Sequence, residues 1–159
     1  FERSFQLMAQ VSGRAGRKNK QGKVIIQTHQ PHHQMMQYVL KNDYEGLFFH
    51  QMAERKKFNY PPFFRIIMIQ LHHRENHTVN VAAFELAKML KENREYELLG
   101  PEYPMISRIK SLYIKQIIIK FSRKKNTAEI KQFIWERIDR LITTEGFKSL
   151  RIHIDVDPQ

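Results

Sequence analysis

The spacing of apolar residues changes along this chain, and its first part follows a helical pattern. Residues 5–11 predict a short helix, residues 35–40 a second, and residues 44–55 a third, for which Asp43 is positioned as the cap. A β-branched run at residues 23–28 predicts a short strand. The third helix also predicts a buried stripe, because three of its apolar residues lie four apart: Tyr44, Phe48 and Met52.

The second part of the chain begins where two prolines forbid a helix. Pro61 and Pro62 follow the third helical pattern, so we place a domain boundary at residue 59, between domains 1–59 and 60–159. Beyond it the pattern reads strand, helix, strand, strand, helix, strand. The predicted strands cover residues 64–71, 97–103, 111–121 and 150–156. One predicted helix begins at residue 76 or 78 and ends at residue 90, and the other covers residues 126–142.

Both helices of the second part have clear apolar stripes. The first stripe consists of Val79, Ala82, Ala83, Leu86 and Leu90. The second consists of Ile130, Phe133, Ile134, Ile138, Leu141 and Ile142, after a capping box formed by Asn126 and Glu129. A βαββαβ order with one-sided helices predicts the ferredoxin-like split βαβ arrangement, an α+β fold.

Charge is distributed unevenly over the 159 residues. The net charge is +11, from 27 Lys and Arg against 16 Asp and Glu. Residues 1–25 carry six basic residues and one acid, and residues 108–125 carry seven basic residues and no acid. Because the rest of the chain is nearly balanced, this clustering favours a polyanionic partner over a surface charged only for solubility.

Other bulk features exclude some classes of protein. The chain has no cysteine, so this segment holds no disulfide and no thiolate zinc site. It has no apolar run of 18 residues and no secretory signal, which predicts no membrane span and a cytoplasmic location. The sequence starts at Phe1 and not at Met, so we expect the chain to be cut from a longer protein.

The most specific motif is the octet from Gln10 to Arg17, Q-V-S-G-R-A-G-R. Gly13 and Gly16 permit tight backbone turns, while Arg14 and Arg17 are planar, permanently charged donors suited to bidentate phosphate recognition. Gln10 adds a donor and an acceptor one turn upstream. The residues alone leave two interpretations: a polyphosphate site or a solvated basic turn.

The acid-free window contains the candidate DNA-binding residues. These are Arg108, Lys110, Tyr113, Arg123, Lys124 and Lys125. The cations lie at a turn and at strand ends, where they can follow a nucleic-acid backbone, and Tyr103 and Tyr113 can stack on unpaired bases. The two tyrosines are equally consistent with core or rim packing.

Neither the histidines nor the terminal aspartates predict chemistry. The eight histidines show no H-x-x-x-H or H-E-x-x-H spacing, so no metal site is expected. Asp155 and Asp157 have the parity of one strand face, and an exposed chain end accounts for them more simply than catalysis does. Trp135 lies off the second helical stripe, as a flank of the core or as a docking contact.

The octet resembles the sixth motif of superfamily-2 helicases, and the segments after it narrow the resemblance. In order they are Gly22–Thr28, Asp43–Glu45, Glu54–Phe63, Leu99–Pro101 and Ile154–Pro158. Together they resemble the C-terminal part of the PriA family of bacterial replication-restart helicases, across essentially the whole chain.

This resemblance implies a fold and an activity. Residues 1–59 would be the end of the second RecA-like lobe, of α/β class, and residues 60–159 a small-ribosomal-protein-like DNA-binding domain. The parent would be an ATP-dependent 3′→5′ helicase that acts at stalled forks. Arg17 would be the finger on the γ-phosphate, Arg14 a second phosphate or transition-state contact, and Gln10 a link to the nucleotide.

The resemblance also implies cofactors and partners. ATP and Mg²⁺ would bind the parent, zinc would bind an insertion outside this segment, and forked or single-stranded DNA, single-strand-binding protein and primosome proteins would be partners. No G-x-x-x-x-G-K-[ST] motif occurs in these 159 residues, so we expect this chain alone to be inactive as an ATPase. The alternative class is a non-catalytic, ribosomal-protein-like module that binds RNA or DNA or docks a protein.

Overall fold

A computed structural model describes residues 2–15 and 22–158 of the chain. These residues form two compact units, one within residues 1–54 and the other within residues 55–159. The predicted boundary at residue 59 lies a few positions after this division, at the end of the helix that crosses it. That helix is followed by Asn59 in a left-handed conformation, and the Tyr60 amide donates to the Arg55 carbonyl oxygen at 2.7 Å.

The first unit is built from three helices: α1 (Glu2–Ser12), α2 (Gln34–Lys41) and α3 (Tyr44–Lys57, whose end enters the second unit). Asp43 caps α3 as predicted, since its carboxylate accepts from the Gly46 amide at 2.8 Å. The cations Arg55–Lys57 occupy the last turn of α3, where they complement the helix dipole.

Two predictions for this unit are wrong. Residues 23–28 form no strand, because a strand needs a hydrogen-bonded neighbour and the described part of residues 1–54 contains none. The stripe of Tyr44, Phe48 and Met52 is not buried: Tyr44 and Phe48 are exposed, and Leu47 is the buried residue of α3. A three-helix core this small encloses about one large side chain per helix.

The second unit is an antiparallel sheet with two helices. Its elements are β1 (Phe64–His73), α4 (Asn76–Leu90), β2 (Glu97–Glu102), β3 (Arg108–Ile109), β4 (Leu112–Ser122), α5 (Thr127–Thr143) and β5 (Arg151–Val156). The sheet order is β2-β4-β1-β5, and the short β3 pairs with β4. The unit therefore has the α+β character that the sequence predicts, with β3 as an addition to the βαββαβ pattern.

The core of this unit lies on one face of the sheet. Ile67, Ile69 and Leu71 of β1 alternate with outward residues. Ile119 and Ile117 of β4 lie opposite Ile67 and Ile69, and Phe121 lies on the same face. The predicted stripe of α4 is buried completely, and that of α5 is buried at Ile130, Ile134, Ile138 and Leu141. The opposite face of β1, through Met68, Gln70 and His72, carries neither helix.

Two local features fix the edges of the sheet. Gly100 has φ +94°, and a Cβ there would lie 2.8 Å from the Gln116 carbonyl oxygen, so glycine permits the register shift between β2 and β4. Asp157 lies beyond β5 with φ 55°, so it does not share a strand face with Asp155 as the parity suggested. Its carboxylate instead accepts from the Ile66 amide and the Arg65 guanidinium.

Candidate nucleic-acid interface

The acid-free stretch of the sequence surrounds β4. No Asp or Glu occurs between Glu102 and Glu129, and this interval contains β3, β4 and the turns at both ends of β4. The predicted DNA-binding residues therefore divide into two groups. One is at the β3–β4 hairpin and the other follows the end of β4, about ten strand residues or roughly 33 Å away.

The hairpin group is held on a two-residue turn. Arg108 pairs with Tyr113 and Ile109 with Leu112, leaving Lys110 and Ser111 at the tip, both with positive φ. Two positive φ values define a type I′ turn, whose twist matches that of the flanking strands. Arg108 and Lys110 are exposed, and Arg108 lies over the Tyr113 ring with its guanidinium carbon 4.8 Å from the centroid.

A second cation–aromatic pair lies next to the first. The Lys115 ammonium is 3.6 Å from the centroid of the Tyr103 ring. The Tyr103 hydroxyl is held by two residues of the first turns of α4: it donates to Asn76 Oδ1 at 2.9 Å and accepts from Asn80 Nδ2 at 2.8 Å. We call the set Tyr103, Arg108, Lys110, Tyr113 and Lys115 the hairpin-end surface.

The two tyrosines of this surface differ in exposure. Tyr113 is partly buried and packs against the core, as one of the two predicted interpretations requires. Tyr103 is exposed, and its hydroxyl and one ring face are fixed by the asparagines and Lys115. A ring that is held in place and still accessible suits base stacking, because little side-chain entropy is lost on binding.

The second group of cations is largely engaged within the unit. The Arg123 guanidinium donates to the Pro62 carbonyl oxygen at 3.3 Å, and Lys125 forms an ion pair with Glu95. Lys124 is exposed and has no ion pair among the residues that the structure describes. These bonds compete with phosphate for two of the three cations, so the hairpin-end surface is the better candidate.

Lys120 is a further cation that the sequence pattern did not single out. It lies on β4 and is only 8% exposed. Its ammonium donates to the Phe58 carbonyl oxygen at 3.1 Å and lies 4.0 Å from the Tyr60 ring centroid. Lys120 thus anchors the segment before β1 and is not available to a ligand.

The arginine motif is described only in part. Gln10 lies in the last turns of α1 and is exposed, Gly13 donates its amide to the Ala9 carbonyl oxygen at 2.9 Å, and Arg14 follows with an exposed side chain. Gly16 and Arg17 fall outside the residues that the structure describes. The nucleotide-binding assignment of Gln10, Gly13, Arg14 and Arg17 therefore remains a prediction.

Metal ligands do not converge within residues 2–15 and 22–158, where no group of three His, Asp or Glu could hold an ion. The nearest approach is the ring pair of His72 and His153, with centroids 4.8 Å apart. In the same range no helix is long and apolar enough to cross a membrane. Trp135 is exposed and lies outside the core cluster.

Comparison with known proteins assigns the family. The family model described as "Primosomal protein N C-terminal domain" matches residues 56–159, the whole of the sheet-containing unit. This chain belongs to the PriA family. The match includes Leu99–Pro101, Ile154–Pro158 and most of Glu54–Phe63, which are three of the segments on which the sequence resemblance rests.

Named members of the PriA family align with both units. "Replication restart protein PriA" of Bacillus subtilis is 38% identical over 99% of this chain, and that of Synechocystis is 33% identical over 99%. This chain spans only 19% and 18% of those PriA proteins. Among solved structures, "De novo designed protein Foldit4" has a TM-score of 0.47 and 9% identity, covering 60% of this chain and 98% of its own, a likeness too low to carry an argument.

Proposed function

We propose that this chain is the C-terminal part of a replication-restart protein, an ATP-dependent 3′→5′ DNA helicase that acts at stalled forks. Its sheet-containing unit would be an accessory DNA-binding domain. The observation that carries this second role is the hairpin-end surface, where three cations without ion pairs in the described residues lie beside two tyrosines. Family membership supports the first role, because the relatives are named replication restart proteins.

The first unit is proposed to be the end of a RecA-like helicase lobe. Its exposed apolar side chains, which include Leu7, Ile25, Phe48 and Phe49, support this assignment. So does the β-branched run at residues 23–28, which has strand composition and no partner strand in the described residues. Both features are expected if the rest of the lobe supplies a sheet that pairs with this run and helices that cover these side chains.

In that lobe, Arg14 and Arg17 would contact the phosphates of ATP bound with Mg²⁺, and Gln10 would contact the nucleotide. An arginine donates to the γ-phosphate oxygens and stabilises the charge that develops on them during transfer. The Walker motifs, a zinc insertion and sites for single-strand-binding and primosome proteins would lie in or involve the rest of the parent protein.

The DNA-binding proposal is tested with two matched triple variants of the full chain. Arg108→Gln/Lys110→Gln/Lys115→Gln removes the free cations, and Arg123→Gln/Lys124→Gln/Lys125→Gln removes the same charge at the other end of β4. On single-stranded DNA each phosphate contact contributes about 0.7 to the slope of log K against log salt. The first variant should lower the slope by roughly 2, and the second by much less.

A flat salt response of the wild-type chain would contradict DNA binding. Equal losses in the two variants would instead place the contact along all of β4 and contradict the preference for the hairpin end. Binding that is stronger for RNA than for DNA of the same sequence would favour the alternative ribosomal-protein-like module.

The arginine finger is tested in the full-length parent protein with Arg17→Ala. We expect DNA-stimulated ATP hydrolysis to fall by about 10³-fold or more, with DNA affinity kept, because the lost charge acts on the transition state. Arg3→Ala, an exposed arginine of α1, is the matched control and should leave turnover unchanged. Unchanged turnover in Arg17→Ala would exclude the finger and favour a non-catalytic module.

A further inference from the structure

The loop that enters the β3–β4 hairpin exposes apolar side chains without cover. Met105 is fully exposed and Ile106 is 63% exposed, and Ile109 on β3 is also exposed. All three lie within five residues of one another, beside a core that buries comparable side chains completely. Isolated exposed apolar residues are common, but an adjacent set on a projecting segment is characteristic of a contact site.

The backbone that carries these side chains is held firmly. The type I′ turn closes the hairpin, and the Ile114 amide donates to the Ser107 carbonyl oxygen at 2.9 Å. Tyr103, at the other end of the loop, is bonded to Asn76 and Asn80. Because both ends are fixed, Met105 and Ile106 are presented at a defined place next to the hairpin-end surface.

The charges around the loop indicate what contacts it. Arg108 and Lys110 follow Met105 and Ile106 and flank Ile109, and the sequence contains no acid from Tyr103 to Ala128. An apolar tip within a cationic surface is complementary to a ligand with an anionic exterior and an apolar interior. Duplex DNA at an open end has this character, since the face of its last base pair is exposed beside two phosphate backbones.

We infer that Met105 and Ile106 form a wedge that stacks on the terminal base pair at a junction between single-stranded and double-stranded DNA. This inference rests on the proposed DNA-binding role of the hairpin-end surface and adds a preference for junctions to it. The cations hold the diverging phosphates, and Tyr103 stacks on an unpaired base. The apolar pair covers the terminal base pair in place of the unpaired base that stacked on it. Met and Ile are among the side chains that proteins insert between base steps.

The test uses the full chain with Met105→Ser/Ile106→Ser and with Trp135→Ser as control. Trp135 is as exposed as Ile106 and lies on α5, outside the hairpin-end surface. The ligands are a forked DNA with 2-aminopurine at the junction pair and a single strand of equal length. The wild type and Trp135→Ser should raise 2-aminopurine fluorescence on binding, because the reporter base loses its stacking partner.

The double variant should bind the fork roughly ten-fold more weakly, lose the fluorescence rise and keep its affinity for the single strand within about two-fold. If the wild-type chain does not bind the single strand, the proposed DNA-binding role itself fails. An unchanged fork signal in the double variant would overturn the wedge alone. A wild-type chain that is dimeric by sedimentation, and monomeric after the double substitution, would also overturn it by assigning the loop to self-association.

Discussion

The pKa of His72 depends on the position of this side chain in the sheet. It lies on the face of β1 that carries no helix, opposite Arg151 and in ring contact with His153. Its Nε2 is buried and has no hydrogen-bond partner among the described residues. Burial lowers the pKa of His72 below its ordinary value of 6.5, and the charges of His153 and Arg151 lower it further.

This environment predicts a loss of stability in acid. When the folded pKa of a histidine is lowered, the unfolded chain takes up more protons, so stability falls as the pH drops below about 6.5 toward the folded pKa. His72→Gln should flatten that dependence in urea unfolding measured between pH 7.5 and 5.5. His77→Gln, on an exposed histidine, should retain the wild-type slope, and equal slopes in wild type and His72→Gln would exclude the mechanism.

The positive φ at the hairpin tip predicts that replacing a single residue there relieves backbone strain. Ser111 has φ 65° in the type I′ turn, a conformation that glycine adopts without penalty. Ser111→Gly should stabilise the sheet-containing unit by about 0.5–1 kcal/mol, seen as a higher urea midpoint with an unchanged m value. Ser107→Gly, at an exposed position without positive φ, is the control, and a destabilised Ser111→Gly would show that the turn is not strained.

At the level of elements, α5 depends on the residue that precedes it. Asn126 Oδ1 accepts from the amides of Ala128 and Glu129, and Asn126 Nδ2 donates to Glu129 Oε1 at 2.6 Å. Asn126→Ala should therefore destabilise the unit by about 1 kcal/mol in chemical denaturation, since the amides lose their acceptor. Lys131→Ala, exposed on the same helix, should have a much smaller effect, and equal effects would contradict the cap.

The sequence predicts correctly the features that depend only on residues within a single element. The stripes of α4 and α5 and the Asn126 cap depend on residues within each helix, so spacing alone identifies them. The burial of Leu47 and the absence of a strand at residues 23–28 depend on what surrounds those residues. Local spacing holds no information about a neighbouring layer, so the predictions of the buried stripe of α3 and of the strand at residues 23–28 were both wrong.

The candidate interface was predictable in composition and not in arrangement. The acid-free window identified Arg108, Lys110 and Tyr113. The division of the cations between two ends of β4 depends on partners distant in sequence, as with Arg123 and Pro62 or Lys125 and Glu95. The pairing of Lys115 with Tyr103 requires the sheet register, which spacing does not specify.

At the level of the whole molecule, the second unit has the components needed to act by itself. Its core contains buried side chains from two strands and both helices, and the hairpin-end surface lies entirely within it. A fragment of residues 55–159 should fold cooperatively and bind single-stranded DNA within about two-fold of the full chain. A much weaker fragment would instead assign the contact to the basic residues at positions 1–25.

The hydrogen bonds of Asp157 hold the start of β1, the first strand, next to the end of β5, the last strand. Val156 pairs with Ile67, and the next residue is bonded to Ile66 and Arg65 through both its backbone and its carboxylate. A module whose entrance and exit are adjacent can be inserted into a host loop or circularly permuted with little distortion of either partner. The same geometry would allow the proposed DNA-binding domain to be inserted into a loop of another enzyme.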